Sequence, residues 1–121
     1  MIKTLIIGAS PHSWRFSYKA AQLLASMDLP FEQLGKSAGT AAGKLIDTEP
    51  KPYEDIHTVT LYLRPEIQRE VEAYILDLRP ARVIFNPGSE NPYFGQKLKD
   101  AGIEVVEACT LVMLRAGQYI D

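Results

Sequence analysis

Short β-rich apolar runs alternate with helical stripes along the chain, and this alternation most limits the folds open to it. The runs are Thr4 to Ile7, Thr58 to Leu63, Arg82 to Phe85 and Ile103 to Val106, with a weaker fifth at Pro30 to Leu34. The first and third are largely continuous in apolar character, as strands covered on both faces are. Between them, Ser17 to Met27 places Ala20, Ala21, Leu24 and Met27 at helical spacing. A second helix is expected from Pro65, with Ile67, Val71, Tyr74, Ile75 and Leu78 as one stripe. A third opens on Asn91-Pro92, has Phe94, Leu98 and Ala101 lining one face, and ends where Gly102 suits a left-handed C′ position. Thr110 to Leu114 reads equally as helix or strand. Gly35 to Gly43 and Glu49 to Pro52 read as a long loop with at most one helical turn, and loops of that length are more often functional than idle. Such alternation builds βαβ units with right-handed crossovers and a parallel sheet. The predicted fold is α/β, a doubly wound three-layer parallel five-stranded sheet, with residues 1–121 as a single domain.

Charge narrows the partners. A net charge of −2 gives no general attraction to nucleic acid or to an anionic membrane. No apolar run approaches the ~20 residues of a membrane span, and the opening run is too short for a secretory signal, so the expected location is cytoplasmic by default. One cysteine, Cys109, excludes an internal disulfide and any cysteine-based metal cluster, and with only His12 and His57 besides, no metal is expected. The sequence names no protein partner.

In a parallel sheet the loops after the strands share one edge, and ligands bind there where the strand order reverses. That edge gathers Gly8-Ala9-Ser10, Gly35-Lys36-Ser37, Arg64-Pro65, Asn86-Pro87-Gly88 and Cys109. Gly8-Ala9-Ser10 joins a strand to a helix, whose first amides have no backbone partner and carry the positive end of the dipole. Small residues there let a ligand approach the backbone. The later glycines of a dinucleotide fingerprint are absent, Ser10 and Ser13 standing in their places. Ser10 and Ser17 offer hydroxyls to a phosphate, with Ser17 equally readable as a plain N-cap. Arg15 suits a phosphate or open solvent. Lys36 beside glycines suits a ribose phosphate as readily as solvent, with Lys44 the weaker candidate. Glu32 lies too early on its strand to serve a ribose hydroxyl. Asn86 is placed to bond a ligand, although Asn-Pro-Gly is first of all a turn. Arg64 faces either a ligand or an acid such as Glu66. Trp14 and Phe16 either pack on a ligand or seat their loop on the domain. No nucleophile–base constellation stands out.

Strand-Gly8-Ala9-Ser10, then Arg15, then Ser17-Tyr18-Lys19-Ala20-Ala21 resembles the opening of the stand-alone CoA-binding proteins. These are small Rossmann-like relatives of the CoA-binding domain of the succinyl-CoA synthetase alpha subunit. Arg64-Pro65-Glu66 and the run Ala101-Gly102-Ile103-Glu104-Val105-Val106 followed by Cys109 resemble the same family, over nearly the whole chain. Departures are Leu34-Gly35-Lys36-Ser37 where the family usually has Asn-Pro, and Glu107-Ala108 where Asp-Arg is more usual. The resemblance implies coenzyme A, or acyl-CoA, with its pyrophosphate near Gly8, Ala9, Ser10 and the helix at Ser17. It implies a cleft lined by Gly35-Lys36, Leu63-Arg64-Pro65 and Asn86-Pro87-Gly88. It also implies Cys109 near the cofactor thiol, within reach of a mixed disulfide. The leading expectation is a non-catalytic binder of a small nucleotide-type molecule. The alternatives are an enzyme using NADP or a CoA thioester, and an interaction domain that has lost its ligand.

Overall fold

The computed structural model describes residues 1–120. Five parallel strands form one sheet: β1 (Thr4–Ala9), β2 (Phe31–Gly35), β5 (Thr58–Leu61), β6 (Arg82–Phe85) and β7 (Glu104–Glu107), in the order β2-β1-β5-β6-β7. Two further strands, β3 (Thr40–Ala41) and β4 (Lys44–Leu45), make a separate antiparallel pair. The helices are α1 (Phe16–Ser26), α2 (Pro65–Gln68), α3 (Glu72–Leu78), α4 (Pro92–Asp100) and α5 (Thr110–Arg115). The order reverses between β1 and β5, so the switch point lies at the Gly8 loop, as a doubly wound α/β sheet requires.

Side-chain alternation along the strands feeds two cores. Leu5, Ile7, Val59, Leu61, Val83 and Phe85 pack with Ile75 of α3 and with Phe94 and Leu98 of α4. Ile6 and Ile84 point the other way and pack with Ala21 and Leu24 of α1 and Met113 and Leu114 of α5. Phe85 and Phe94 meet edge to face, with ring centroids 6.0 Å apart. The α1–α5 side is also threaded with buried polar groups. Thr60 shares a 2.7 Å hydrogen bond with Thr110, and Arg82 donates to the Thr58 hydroxyl at 2.8 Å.

The Asn91-Pro92 helix start is found as expected, the Asn91 side chain accepting from the Phe94 amide at 3.1 Å, and Gly102 sits at φ +79°. The ambiguous segment after β7 is helix α5.

Two expectations are corrected. Residues 40–45, expected as loop, form a hairpin. Ala42 and Gly43 turn it with φ of +53° and +73°, the pair of left-handed residues that a two-residue hairpin of this twist demands. The single stripe expected from Pro65 to Leu78 is two helices. Gln68 is the cause: fully buried, it donates to the Leu63 and Ser89 carbonyls (2.9 and 2.6 Å) and accepts from Asn91 at 2.9 Å. That anchorage ends α2, and Val71, at φ −120°, restarts the chain as α3.

Candidate functional site

At the C-terminal edge of the sheet a cleft of about 730 Å³ opens over the switch point. Its floor is the β1–α1 loop. β1 is irregular there: Ile7 pairs with Leu34 and Ala9 with Gly35, leaving Gly8 outside the β2 register. Gly8 has φ +91°, and a Cβ on it would stand 3.0 Å from the Tyr62 carbonyl carbon and oxygen. A Cβ on Gly35 would stand 2.2 Å from the Ala9 carbonyl oxygen. Both glycines are therefore required by the protein's own strands, a demand separate from any ligand. Beyond Ala9, the Ser10 hydroxyl accepts from the His12 amide at 3.1 Å, and the Arg15 amide donates to the His12 carbonyl at 3.1 Å, turning the chain into α1.

Among the described residues no side chain caps α1, whose N-cap is Arg15; the Tyr18 amide donates to the Arg15 carbonyl at 3.1 Å, and the Phe16 and Ser17 amides, on two residues of the cleft lining, are left without a partner. Ser17 is consequently not the N-cap. It lies inside the first turn, is buried, and still contributes to the lining. Three cations stand around this helix end. Arg15, Lys36 and Arg64 all line the cleft, all are exposed, and none takes part in an ion pair among the described residues. Arg64 does not pair with Glu66. Lys44, by contrast, pairs with Glu32 at 3.2 Å, and Lys3 reaches the same carboxylate at 3.6 Å. Glu32 is thereby held by two lysines and is absent from the cleft lining.

Of the residues expected at the site, Gly8, Ala9, Ser10, Arg15, Ser17, Gly35, Lys36, Leu63, Arg64, Pro87 and Gly88 line this cleft, and Tyr18, Pro65, Asn86 and Cys109 do not. Asn86 is buried and its side chain is committed to the fold. It donates to the Thr60 hydroxyl and the Leu61 carbonyl (2.8 and 3.0 Å) and accepts from the Thr110 amide at 2.9 Å. Cys109 is half-buried at the N-cap of α5. Among the described residues the buried Tyr62 hydroxyl has no hydrogen-bond partner, and burial pushes its pKa up to about 12. Trp14 and Phe16 do not seat their loop on the domain. Both are largely exposed, Trp14 stacked on His12 with centroids 4.6 Å apart.

Sequence reasoning missed part of the wall. Thr48 and Pro50 come from the chain between β4 and β5, and Ile67, Glu70 and Val71 from the α2–α3 junction. The two prolines of Glu49 to Pro52 marked the first segment as loop without placing it. The second was hidden because the helix break is made by one buried glutamine. The lining thus combines three cations with the apolar side chains of Leu34, Pro50, Leu63, Ile67 and Val71, and Glu70 is the one acid among its described residues. Such a shape suits a molecule with an anionic part joined to an apolar or heterocyclic part. Among the described residues no cluster of three or more His, Cys, Asp or Glu side chains is placed to hold a metal, and no helix is long and apolar enough to cross a membrane.

Similarity to known proteins agrees with this geometry. None of the curated proteins matches the sequence. A crystal structure of an uncharacterized protein superposes with a TM-score of 0.96 at 47% identity, covering 98% of each chain. A protein from Thermus thermophilus (cell-free ID.343) gives 0.79 at 21% identity, over 98% of this chain and 90% of that one. A hypothetical protein from Pyrococcus horikoshii OT3 gives 0.84 at 17% identity, over 93% and 81%. The last two show the fold alone. A family model described as a CoA binding domain matches residues 3–115. With that match over almost its entire length, the chain belongs to the CoA-binding domain family.

Proposed function

We propose that this protein is a non-catalytic binder of coenzyme A or an acyl-CoA, holding the diphosphate at the Gly8–Ser10 loop and the α1 N-terminus. The observation that carries the reading is the set of three unpaired cations, Arg15, Lys36 and Arg64, around an uncapped helix end at the sheet's switch point. Exposed cations without partners beside open amides form a site for a multiply charged anion. Lys36, at the end of β2, is assigned to the phosphate on the ribose. Family membership supports CoA as the carrier of these phosphates. The apolar side chains of the lining take the rest of the ligand.

Binding without turnover is favoured by the side chains present. Among the described residues no hydrogen bond joins the His12 or Glu70 side chain to a serine or threonine, and the Ser10 hydroxyl only accepts, from the His12 amide. A nucleophile activated by an adjacent base needs such a bond. An NAD-type site would want a free carboxylate after β2, whereas Glu32 is held by Lys3 and Lys44.

Thermal shift tests the reading. CoA at 100 times its Kd should stabilise the fold by about 2.7 kcal/mol, a Tm rise of roughly 10 °C. Dephospho-CoA should give less. A shift from NADP with none from millimolar CoA would replace this proposal with the NADP reading. No shift from any nucleotide would favour an interaction domain.

A further inference from the structure

The chain between β4 and β5, residues 46–57, wraps the free edge of β2. Ile46 is buried in the core on the α1 side and Ile56 in the core on the α3–α4 side, so the segment crosses the sheet edge between them. Its start is pinned by backbone. The Asp47 amide donates to the Gln33 carbonyl and the Gly35 amide to the Asp47 carbonyl, both at 2.9 Å, in a parallel bridge of Asp47 with Leu34. Its middle passes the cleft, where Thr48 and Pro50 line one wall.

Pro50 and Pro52 have no N–H, so a backbone ladder cannot hold this stretch. Side chains hold it instead. The Tyr53 hydroxyl donates to one oxygen of Asp47, and Lys51 pairs with the other at 2.9 Å. From α3, the Tyr74 hydroxyl donates to the Lys51 carbonyl. Asp47 is the centre of this cluster. The hydrogen bonds from Tyr53 and Lys51 hold its carboxyl below the usual carboxylate range, while burial and the Asp47 bond push the Tyr53 hydroxyl far up. Donor and acceptor therefore keep their roles throughout the neutral range.

We propose that Asp47 is a positioning residue for the ligand: its carboxylate fixes the 46–57 strap as a wall, and Thr48 and Pro50 meet the ligand only while that strap is closed. The proposal rests on the cleft being the CoA site. When the strap opens, the binding-competent fraction of the protein falls and the apparent Kd rises in proportion.

The experiment pairs calorimetric titration of CoA with hydrogen exchange of the Tyr53 amide, which donates to the Lys51 carbonyl at 2.9 Å inside the strap. Asp47→Ala and Tyr53→Phe should each raise the Kd about tenfold and speed that exchange about tenfold in the free protein. Saturating CoA should restore protection. The double variant should lose no more than Asp47→Ala alone, because that change already removes the bond lost in Tyr53→Phe, together with the Lys51 pair. Lys97→Ala, which breaks the Lys97–Glu72 pair far along α4, should change neither quantity. Fast exchange with wild-type affinity overturns the proposal, as does weakened affinity with unchanged exchange, which would make Asp47 a direct contact. A wild-type protein that binds no CoA overturns the proposed function, and this inference with it.

Discussion

At the N-terminal ends of β5 and β6, Arg82 is buried, with its guanidinium 4.4 Å from the centre of the Tyr119 ring. Nε donates to the Thr58 hydroxyl and Nη2 to the Tyr119 carbonyl, each at 2.8 Å, and the Tyr119 hydroxyl shares a 2.5 Å bond with Thr4. At the opposite end of the same sheet, Arg15, Lys36 and Arg64 are exposed and unpaired among the described residues. The contrast separates two uses of positive charge. A buried cation that donates to two protein oxygens ties the segment after α5 to the sheet. Cations left open at a strand-to-helix switch point are free to take an anion. The rule also places Lys44, which belongs with Arg82: Glu32 and the Phe31 carbonyl already occupy its ammonium.

The sharpest way to break this comparison is to remove Arg82. Arg82→Leu leaves the Tyr119 carbonyl without its Arg82 donor in the interior and the Thr58 hydroxyl with the His57 ring alone, a loss of about 3 kcal/mol and roughly 12 °C in Tm. The protein that remains folded should bind CoA within twofold of the parent, because the cleft lies at the other end of the sheet. Denaturant unfolding and calorimetry read the two quantities separately. A large loss of affinity without loss of stability would erase the distinction between the two ends.

Gly8→Ala should come next. A methyl at φ +91°, 3.0 Å from the Tyr62 backbone, costs about 2 kcal/mol of stability and displaces the loop proposed to hold the diphosphate. The expected result is a Tm fall of roughly 8 °C together with weakened CoA binding. Weakened binding with an unchanged Tm would mean that the glycine answers only to the ligand.

The open cations of the cleft are tested without touching stability. Lys36→Ala should weaken CoA about tenfold with little effect on dephospho-CoA, and leave the melting curve where it is. Equal losses for both ligands would remove Lys36 from the ribose phosphate. Raising the salt concentration should weaken CoA binding to the parent more than to the variant, since one charge contact fewer is screened.

Much of this architecture is readable from residue patterns, and the exceptions have physical causes. The five strands, the parallel order and the switch-edge loop follow from apolar periodicity and from Asn91-Pro92 and Gly102 punctuating a helix, all local signals. Buried polar side chains that reach across the fold are not local. Gln68 looks like an ordinary helix residue until the Leu63 and Ser89 carbonyls are beside it, and Asn86 looks like a ligand contact until Thr60 and Thr110 claim its amide. The hairpin at 40–45 was hidden because Ala42, a poor residue for φ +53°, shares its turn with Gly43. The Thr48–Pro50 wall depends on where a strap crosses a sheet edge, which sequence spacing does not carry.

Cys109 gives the smallest expected effect and the finest test. It sits at the cleft end of the sheet, yet it is outside the lining, to which Tyr62 belongs. If reversible affinity comes from the three open cations and the α1 amides, Cys109→Ser should change the CoA Kd by less than twofold. Intact-mass measurement of protein purified without reductant then asks a separate question. An added mass equal to CoA, absent from the Cys109→Ser protein, would show that the ligand thiol passes Tyr62 to reach the cysteine. A loss of affinity in Cys109→Ser under reducing conditions would instead assign binding energy to a group outside the cleft, and the comparison between the two ends would have to be redrawn around Tyr62.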